Sequence, residues 1–498
     1  MLLSILLTLP AQATTIVIDA THSRPISPYI YGANDPDWDK SHTPFTLARL
    51  GGNRMTAYNW ETNASNAGND YRFQSDGYMG ESNEPGWTLR TFLEKAQSHG
   101  AAAMVTIPTA GYVSADKKGD GDVRKTPNYL ETRFYKSLPK KPGKLIYPPD
   151  TTDRVVYQDE CAAWLDKIKS PKTPLWFMLD NEPDLWSSTH NEIWTRKPTY
   201  ADIIENNITF ATALKAVAPK DLIFGPANYG WQGFRTFQGA SDAGGRDFLD
   251  VYLAAMHDAE KKAGKRLLDV LDVHWYPEAR GNGKRITEDS GNEDARIQAP
   301  RSQWDPTYVE DSWIVQTLGG KPIALLPRIL KQIDANYPGT RLSISEYDYG
   351  GKNDISGTIA QADVLGIFGR YGLFAACNWG ISAEKPAQLA GFNAFVNFDG
   401  KGSKFGGKEL NVTGESAASD SVYAAIDGTR LTIVAINKTH SAIPLHFDVK
   451  GFRGQSAKAY VRAGDAFSHP VKQDCSVAGG GVDFEAPALS VTTIEVTN

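Results

Sequence analysis

Two glutamates that close apolar runs supply the residue types for acid–base and nucleophilic chemistry. Glu182 sits in Asp180-Asn181-Glu182-Pro183 at the end of PLWFMLDNEP, and Glu346 in Ser345-Glu346-Tyr347 within RLSISEYDYGG. A lone Glu at a strand end is ordinarily a solvated or salt-bridged carboxylate. Two facing each other across a cleft are what glycosidic bond cleavage requires: one protonates the departing oxygen, the other attacks the anomeric carbon or activates water. Held at strand ends of one barrel, they are expected about 5 Å apart, which corresponds to retention of configuration. Glu346 must be ionised to attack and needs cationic or hydrogen-bond-donating neighbours, for which Arg54 and Tyr276 are the candidates. Glu182 must start protonated, and the charge of Glu346 raises its pKa; that charge vanishes when the glycosyl ester forms, and Glu182 then becomes the base for water. Asn181 is the candidate for holding a sugar 2-hydroxyl.

His274 and Tyr276 are two apart on one predicted strand and therefore share a face, with Trp275 on the other. This makes them a supporting pair behind the carboxylates, with a satisfied core histidine as the alternative for His274. With no Cys or second His nearby, a metal role for His274 is not supported. Trp60, Trp186, Trp231, Trp304, Trp313 and Trp379 fall in or just after predicted mouth segments, and flat aromatic platforms suit the apolar faces of sugar rings. Core packing is the ordinary role of any one of them. Asn59-Trp60 and Asn378-Trp379 end predicted strands and are the stronger candidates; Trp164 and Trp176 read as core. The acidic loop from Asp116 to Asp122 matches no EF-hand spacing and reads as a solvated loop.

Positioning such a pair requires a rigid frame. Short apolar runs beginning at Ser27, Leu47, Ala101, Pro174, Asp221, Leu268, Arg341 and Leu373 alternate with stretches of helical period, which predicts eight parallel β/α units and a closed (β/α)8 TIM barrel. No phosphate-binding glycine fingerprint follows any run, which argues against a doubly wound nucleotide fold. Past residue 395 the pattern becomes alternating strands with Gly, Asp and Asn turns, an all-β sandwich to which the isolated strand TTIVIDA near the start contributes. The predicted organisation is a signal-peptide-like leader over 1–13, the N-terminal sandwich strand over 14–26, the barrel over 27–395 and the sandwich over 396–498. With no tryptophan after Trp379, the sandwich reads as support for the barrel rather than an independent sugar-binding domain.

The 498 residues carry 52 Lys+Arg against 58 Asp+Glu, a formal charge of −6, without the basic runs that nucleic-acid binding needs. Beyond the leader, no stretch approaches the roughly 18 apolar residues of a membrane span. Three distant cysteines build neither a disulfide framework nor a Cys-based zinc site. The leader predicts an exported, soluble protein, extracellular or periplasmic.

NRMTAYNWETNASNAGND (53–70), FMLDNEPDLWSSTH (177–190), DVHWYPE (272–278) and SISEYDYGG (343–351) closely resemble glycoside hydrolase family 44 and span most of the predicted barrel. The resemblance implies a barrel plus sandwich and a retaining endo-β-1,4-glucanase active on cellulose-like glucans and xyloglucan, with Glu182 as acid/base and Glu346 as nucleophile. It also implies that the partner is a β-glucan or hemicellulose, with xylan or mannan as the alternative substrates. No cofactor is required for the chemistry, the resemblance leaves room for a structural calcium whose ligands the sequence does not assign, and a monomer is expected. From another class, the alternative is a non-catalytic polysaccharide-binding protein, against which the presence of both glutamates argues.

Overall fold

The computed structural model describes residues 13–288 and 290–498; the leader expected over 1–13 lies outside the described residues except for its last position. Strand β1 (Thr14–Pro25) belongs to the second domain. The eight barrel strands are β2 (Gly32–Asn34), β3 (Leu47–Leu50), β4 (Ala102–Ile107), β5 (Leu175–Leu179), β6 (Ile223–Tyr229), β7 (Val270–Trp275), β8 (Arg341–Tyr347) and β9 (Ala375–Asn378), with further short strands in the loops between them. They pair in parallel in strict chain order and close through Cys377 opposite Gly32 and Asn378 opposite Ala33. Gly32 makes that closure: a Cβ there would lie 2.5 Å from the carbonyl oxygen of Ala376.

The strands read as continuous apolar runs because both faces are covered. Along β3, Leu47 points into the barrel while Ala48 and Leu50 pack outward against the helical layer. Along β5, Trp176 and Met178 point in and Leu175, Phe177 and Leu179 out. Trp176, with Tyr29, Phe224 and Phe374 within 6 Å of its ring, plugs the end of the barrel where the strands begin, so Trp176 is core as expected. Cys377 is a free buried thiol in the same interior. The opposite rim, where the strands end, is left for polar residues.

Two of the connecting helices matter for the second domain: α1 (Ile355–Arg370) after β8 and α2 (Pro386–Val396) after β9. The chain then forms nine further strands between Lys408 and Thr497, which join β1 in one continuous ten-stranded sheet. In it β1 lies between Lys408–Thr413, antiparallel, and Ile443–Lys450, parallel. The sheet encloses its own core, with Ile16, Ile18, Val422, Ala424, Phe447 and Ile494 fully buried. The alternate residues Tyr423, Ala425, Val434 and Ile436 join the barrel's hydrophobic core instead. A buried ion pair crosses this junction: Lys438 Nζ lies 2.7 Å from Asp363 on α1, and Tyr423 donates to the same carboxylate at 2.6 Å. Among the described residues no helix is long and apolar enough to cross a membrane.

Candidate active site

Glu346 reaches the rim through a β-bulge. Val273 of β7 pairs with Ile344 and His274 with Glu346, so Ser345 is an extra residue in β8. Bulges re-aim side chains beside active sites; this one turns both Ser345 and Glu346 toward the axis. Glu182 is placed by a left-handed turn just past β5, with φ +64° at Asp180 and +42° at Glu182. Asp180 pins that turn from below, accepting from the Thr56 hydroxyl at 2.6 Å, the Asn181 amide at 2.8 Å and the Ala110 amide at 3.1 Å. The Glu182 amide donates to the Ala227 carbonyl at 3.0 Å, tying the turn to β6. Two non-glycine residues held at positive φ within three positions are local strain that such contacts sustain.

One carboxylate oxygen of Glu182, one of Glu346 and a ring nitrogen of His274 all lie within 4.8 Å of one another. His274 Nδ1 is 2.8 Å from Glu182 Oε1 and 3.5 Å from Glu346 Oε2. Glu346 accepts from the Tyr276 hydroxyl at 2.7 Å and from Arg49 Nη1 at 2.6 Å. Burial pushes both carboxyls above the usual range, and Glu182 further: the charges of Glu346 and Asp184 add to its burial, while Arg49 and Tyr276 in direct contact hold Glu346 back. The first proton therefore belongs to Glu182. Burial, followed by the charge of Arg49, pushes the His274 pKa well below its ordinary value, so the imidazole is neutral. Burial and both glutamates push the Tyr276 hydroxyl well up, so it remains a donor.

Arg49 is the cation that sequence reasoning missed. It is fully buried, and its guanidinium also bonds Asn34 Oδ1 at 2.9 Å and Asn181 Oδ1 at 2.8 Å. The expected cation, Arg54, is bonded instead to Asp76 at 2.6 Å and stacks on the Tyr78 ring at 4.3 Å, on the cleft wall but not on Glu346. The cause is local: β3 stops at Leu50, and Gly51-Gly52 turn the chain into a helical turn over Asn53–Thr56. Gly52 has φ +82°, and a Cβ there would lie 2.4 Å from Trp379. A signal for Arg49 was present, since it shares the inward face of Leu47 in an otherwise apolar strand.

The early stop of β3 also corrects Asn59 and Trp60, which end no strand. Asn59 is buried and donates to the Ser114 carbonyl at 2.9 Å; Trp60 is buried and stacks on Trp164, 5.8 Å between centroids. Trp186 is buried too, donating its indole N–H to the Asn181 carbonyl at 3.1 Å, which steadies the acid's loop from behind. Tyr347 is buried under the rim and accepts from Gln361. Trp304 packs half-buried against the hydrophobic core, away from the role expected of it. Trp231, buried, and Trp313 line a small recess beside Tyr229 and Tyr276.

The open space fits the chemistry. A cavity of about 410 Å³ is lined by Glu182, Glu346, Asn181, Tyr229, Tyr276 and Trp379. Through Gly52, Asn53, Asp70 and Trp379 it runs into a second, of about 680 Å³, along the ends of β2, β3 and β9. Trp379, Tyr71 and Tyr78 stand exposed on the second cavity's walls, and the two tyrosines were not anticipated. Such a groove, aromatic in its walls and acidic at its floor, matches an extended sugar chain.

Away from this cleft one buried carboxylate stands out, at Glu61. Glu61 is 2 % exposed, and among the described residues neither of its carboxylate oxygens has a hydrogen-bond partner. Burial, then the charges of Asp153, Glu160 and Asp150, push its pKa to about 8, while the nearby Lys141 is bonded to Glu160 at 2.7 Å. An unpartnered buried carboxylate in acidic surroundings offers the hard oxygen chemistry that calcium takes. In the loop from Asp116 to Asp122, by contrast, Arg133 grips Asp116 and Asp120 at 2.7 Å and Arg124 holds Asp122 at 2.8 Å.

Residues 64–279 match the family model for glycoside hydrolase family 44. The chain is 35 % identical to a Paenibacillus polymyxa xyloglucanase from that family, solved with xyloglucan; the likeness covers 97 % of this chain and 99 % of that one, with a TM-score of 0.91. The chain belongs to glycoside hydrolase family 44. Within the family it is 40 % identical over 457 residues to endoglucanase A of Paenibacillus lautus, and 41 % identical over 454 residues to beta-mannanase/endoglucanase A of Caldicellulosiruptor saccharolyticus. These matches take in 86 % and 83 % of this chain but 64 % and 33 % of those longer proteins.

Proposed function

We propose that this family 44 hydrolase is an exported endo-acting enzyme that cleaves internal β-1,4 bonds of glucans, xyloglucan included, with retention of configuration. The observation that carries the reading is the approach of one oxygen of each carboxylate to within 4.8 Å, in line with the short spacing of about 5 Å found in retaining enzymes rather than the wider one of inverting enzymes. Glu346, ionised beside Arg49 and Tyr276, attacks the anomeric carbon while Glu182 gives its proton to the departing oxygen. The resulting ester removes the charge that raised the Glu182 pKa, and Glu182 then accepts a proton from the incoming water. Asn181 has its oxygen committed to Arg49, which leaves its NH2 as the donor end for the sugar 2-hydroxyl. Oxocarbenium-like character in the transition state strengthens that bond.

The solved relative with xyloglucan and the endoglucanase relative support the substrate; the relative named as a beta-mannanase keeps mannan as the second candidate. Export is proposed from the apolar leader-like segment over 1–13, and a calcium ion is proposed at the unpartnered Glu61 carboxylate, supporting the fold rather than the chemistry. The test is Glu346→Gln assayed on xyloglucan, carboxymethyl cellulose and mannan. Loss of hydrolysis on every substrate with oligosaccharide binding retained is the expected result, and full activity in that variant would end the nucleophile assignment.

A further inference from the structure

Behind Glu182 lies a hydrogen-bonded chain that the two-carboxylate mechanism does not use. His274 Nδ1 is 2.8 Å from Glu182 Oε1; its other nitrogen, Nε2, is 3.1 Å from Ser345 Oγ; and the Ser345 hydroxyl donates to Asp272 Oδ2 at 2.6 Å. Asp272, His274 and Ser345 are all fully buried. The fold makes this chain deliberately. Asp272 and His274 are two apart on the inward face of β7, and Ser345 is the extra residue of the bulge in β8 that also delivers Glu346.

We propose that Asp272, through Ser345, fixes the tautomer of His274 so that its Nδ1 lone pair faces Glu182 and holds that residue in its protonated form. The inference rests on the acid/base role of Glu182 given above. Proton counting leads to it. Ser345 has one hydrogen, and an ionised Asp272 at 2.6 Å takes it. The Ser345 oxygen can then only accept from His274, which puts the imidazole hydrogen on Nε2. A neutral imidazole so protonated has no hydrogen on Nδ1. The 2.8 Å contact to Glu182 is then a bond only if Glu182 carries the proton. After that proton has gone to the leaving group, the same lone pair faces an ionised carboxylate, which makes Glu182 a stronger base toward water.

The opposite arrangement requires a protonated Asp272. Its hydrogen would go to Ser345, that of Ser345 to Nε2, and Nδ1–H would donate to an ionised Glu182. Burial, aided by the charge of Glu346, raises the Asp272 pKa to about 7 against hydrogen bonds from Ser345 and Ser343 and the charge of Arg49, so Asp272 is the ionised acceptor above about pH 7 and the opposite arrangement gains ground below it. The charges of Glu346, Asp184 and Asp70 disfavour the ionised Glu182 of this second arrangement, and Arg49 favours it. Tyr276 hydrogen-bonds Glu346 rather than Glu182, and Tyr229 also faces Glu182. His274, Ser345 and Asp272 are thus positioning residues that act through Glu182.

The test uses Ser345→Ala and Asp272→Asn. The first cuts the chain. In the second, the amide N–H donates to Ser345, turns its hydroxyl toward Nε2 and drives the imidazole hydrogen to Nδ1, the wrong-tautomer effect known for an Asp behind a catalytic His. Both variants should move the basic limb of the kcat/KM profile to lower pH by about one unit, a tenfold change in the protonated fraction. The acid limb should stay in place. Ser345→Thr, which keeps the hydroxyl, should restore the profile. In the wild type, 15N NMR of His274 above about pH 7, where Asp272 is ionised, assigned by comparison with His274→Asn, should report hydrogen on Nε2. A uniform loss of rate in both variants with an unmoved basic limb, or hydrogen on Nδ1 in the wild type above that pH, would overturn the proposal. Glu182→Ala is the parallel control: if it leaves activity intact, the acid assignment itself has failed rather than the chain behind it.

Discussion

Replacing Arg49 with methionine removes the cation beneath the nucleophile while keeping an unbranched side chain in its place. The buried guanidinium makes three bonds, at 2.6 Å to Glu346, 2.9 Å to Asn34 and 2.8 Å to Asn181. Removing one partner of a buried, hydrogen-bonded ion pair costs about 3–5 kcal/mol. At about 1.4 kcal/mol per decade, that corresponds to a loss of roughly 10²–10⁴ in kcat/KM if the cost falls on the transition state. The direction on pH follows from the same contacts. Arg49 lowers the Glu346 pKa against the burial that raises it, so without Arg49 the nucleophile ionises later and the acid limb moves to higher pH. Arg49→Lys keeps a charge but loses the planar fork that spans three acceptors, and should fall between the two. The assay is kcat/KM on soluble xyloglucan from pH 4 to 9, with circular dichroism to verify folding. A folded Arg49→Met enzyme that keeps more than a tenth of wild-type kcat/KM, or whose acid limb does not move, would refute this account of the nucleophile.

Glu182→Ala should slow hydrolysis of polysaccharide far more than of activated aryl glycosides, whose departing oxygen needs no proton; equal losses on both would contradict the acid role. Calcium should raise the melting temperature of the wild type, but not of Glu61→Gln, as followed by differential scanning calorimetry with and without a chelator. The sign on pH is fixed by the raised Glu61 pKa. In calcium-free protein its stabilising contribution is complete below the ordinary carboxylate value, about 4.5, and is lost as pH rises through about 8. The benefit of calcium should therefore grow between pH 5 and 8, and a benefit that is constant over that window would count against the site.

The frame and the meeting of Glu182 with Glu346 at its rim were legible because they follow from periodicity and residue type. Eight buried parallel strands leave eight apolar runs, and a carboxylate that ends such a run has nowhere to point but the rim. His274 and Tyr276 were legible as a pair for the same reason, an alternation of two on β7. The neighbours were harder. Whether Arg49 or Arg54 meets Glu346 depends on where β3 stops, and a pair of glycines moves that point by several residues. Six tryptophans near strand ends resemble a sugar platform in sequence, yet Trp60 and Trp186 are more useful packed under the loops that carry the chemistry, and Trp379 stands in the open because Gly52 makes room for it. The chain behind Glu182 is invisible without coordinates, since it needs the extra residue of the β8 bulge to bring Ser345 between Asp272 and His274.

The most direct measurement is the configuration of the sugar released first, followed by proton NMR within the opening minutes of xyloglucan hydrolysis before mutarotation intervenes. Two carboxylates this close predict that the new reducing end appears as the β-anomer. An α-anomer at first appearance would mean that water, not Glu346, attacks the substrate.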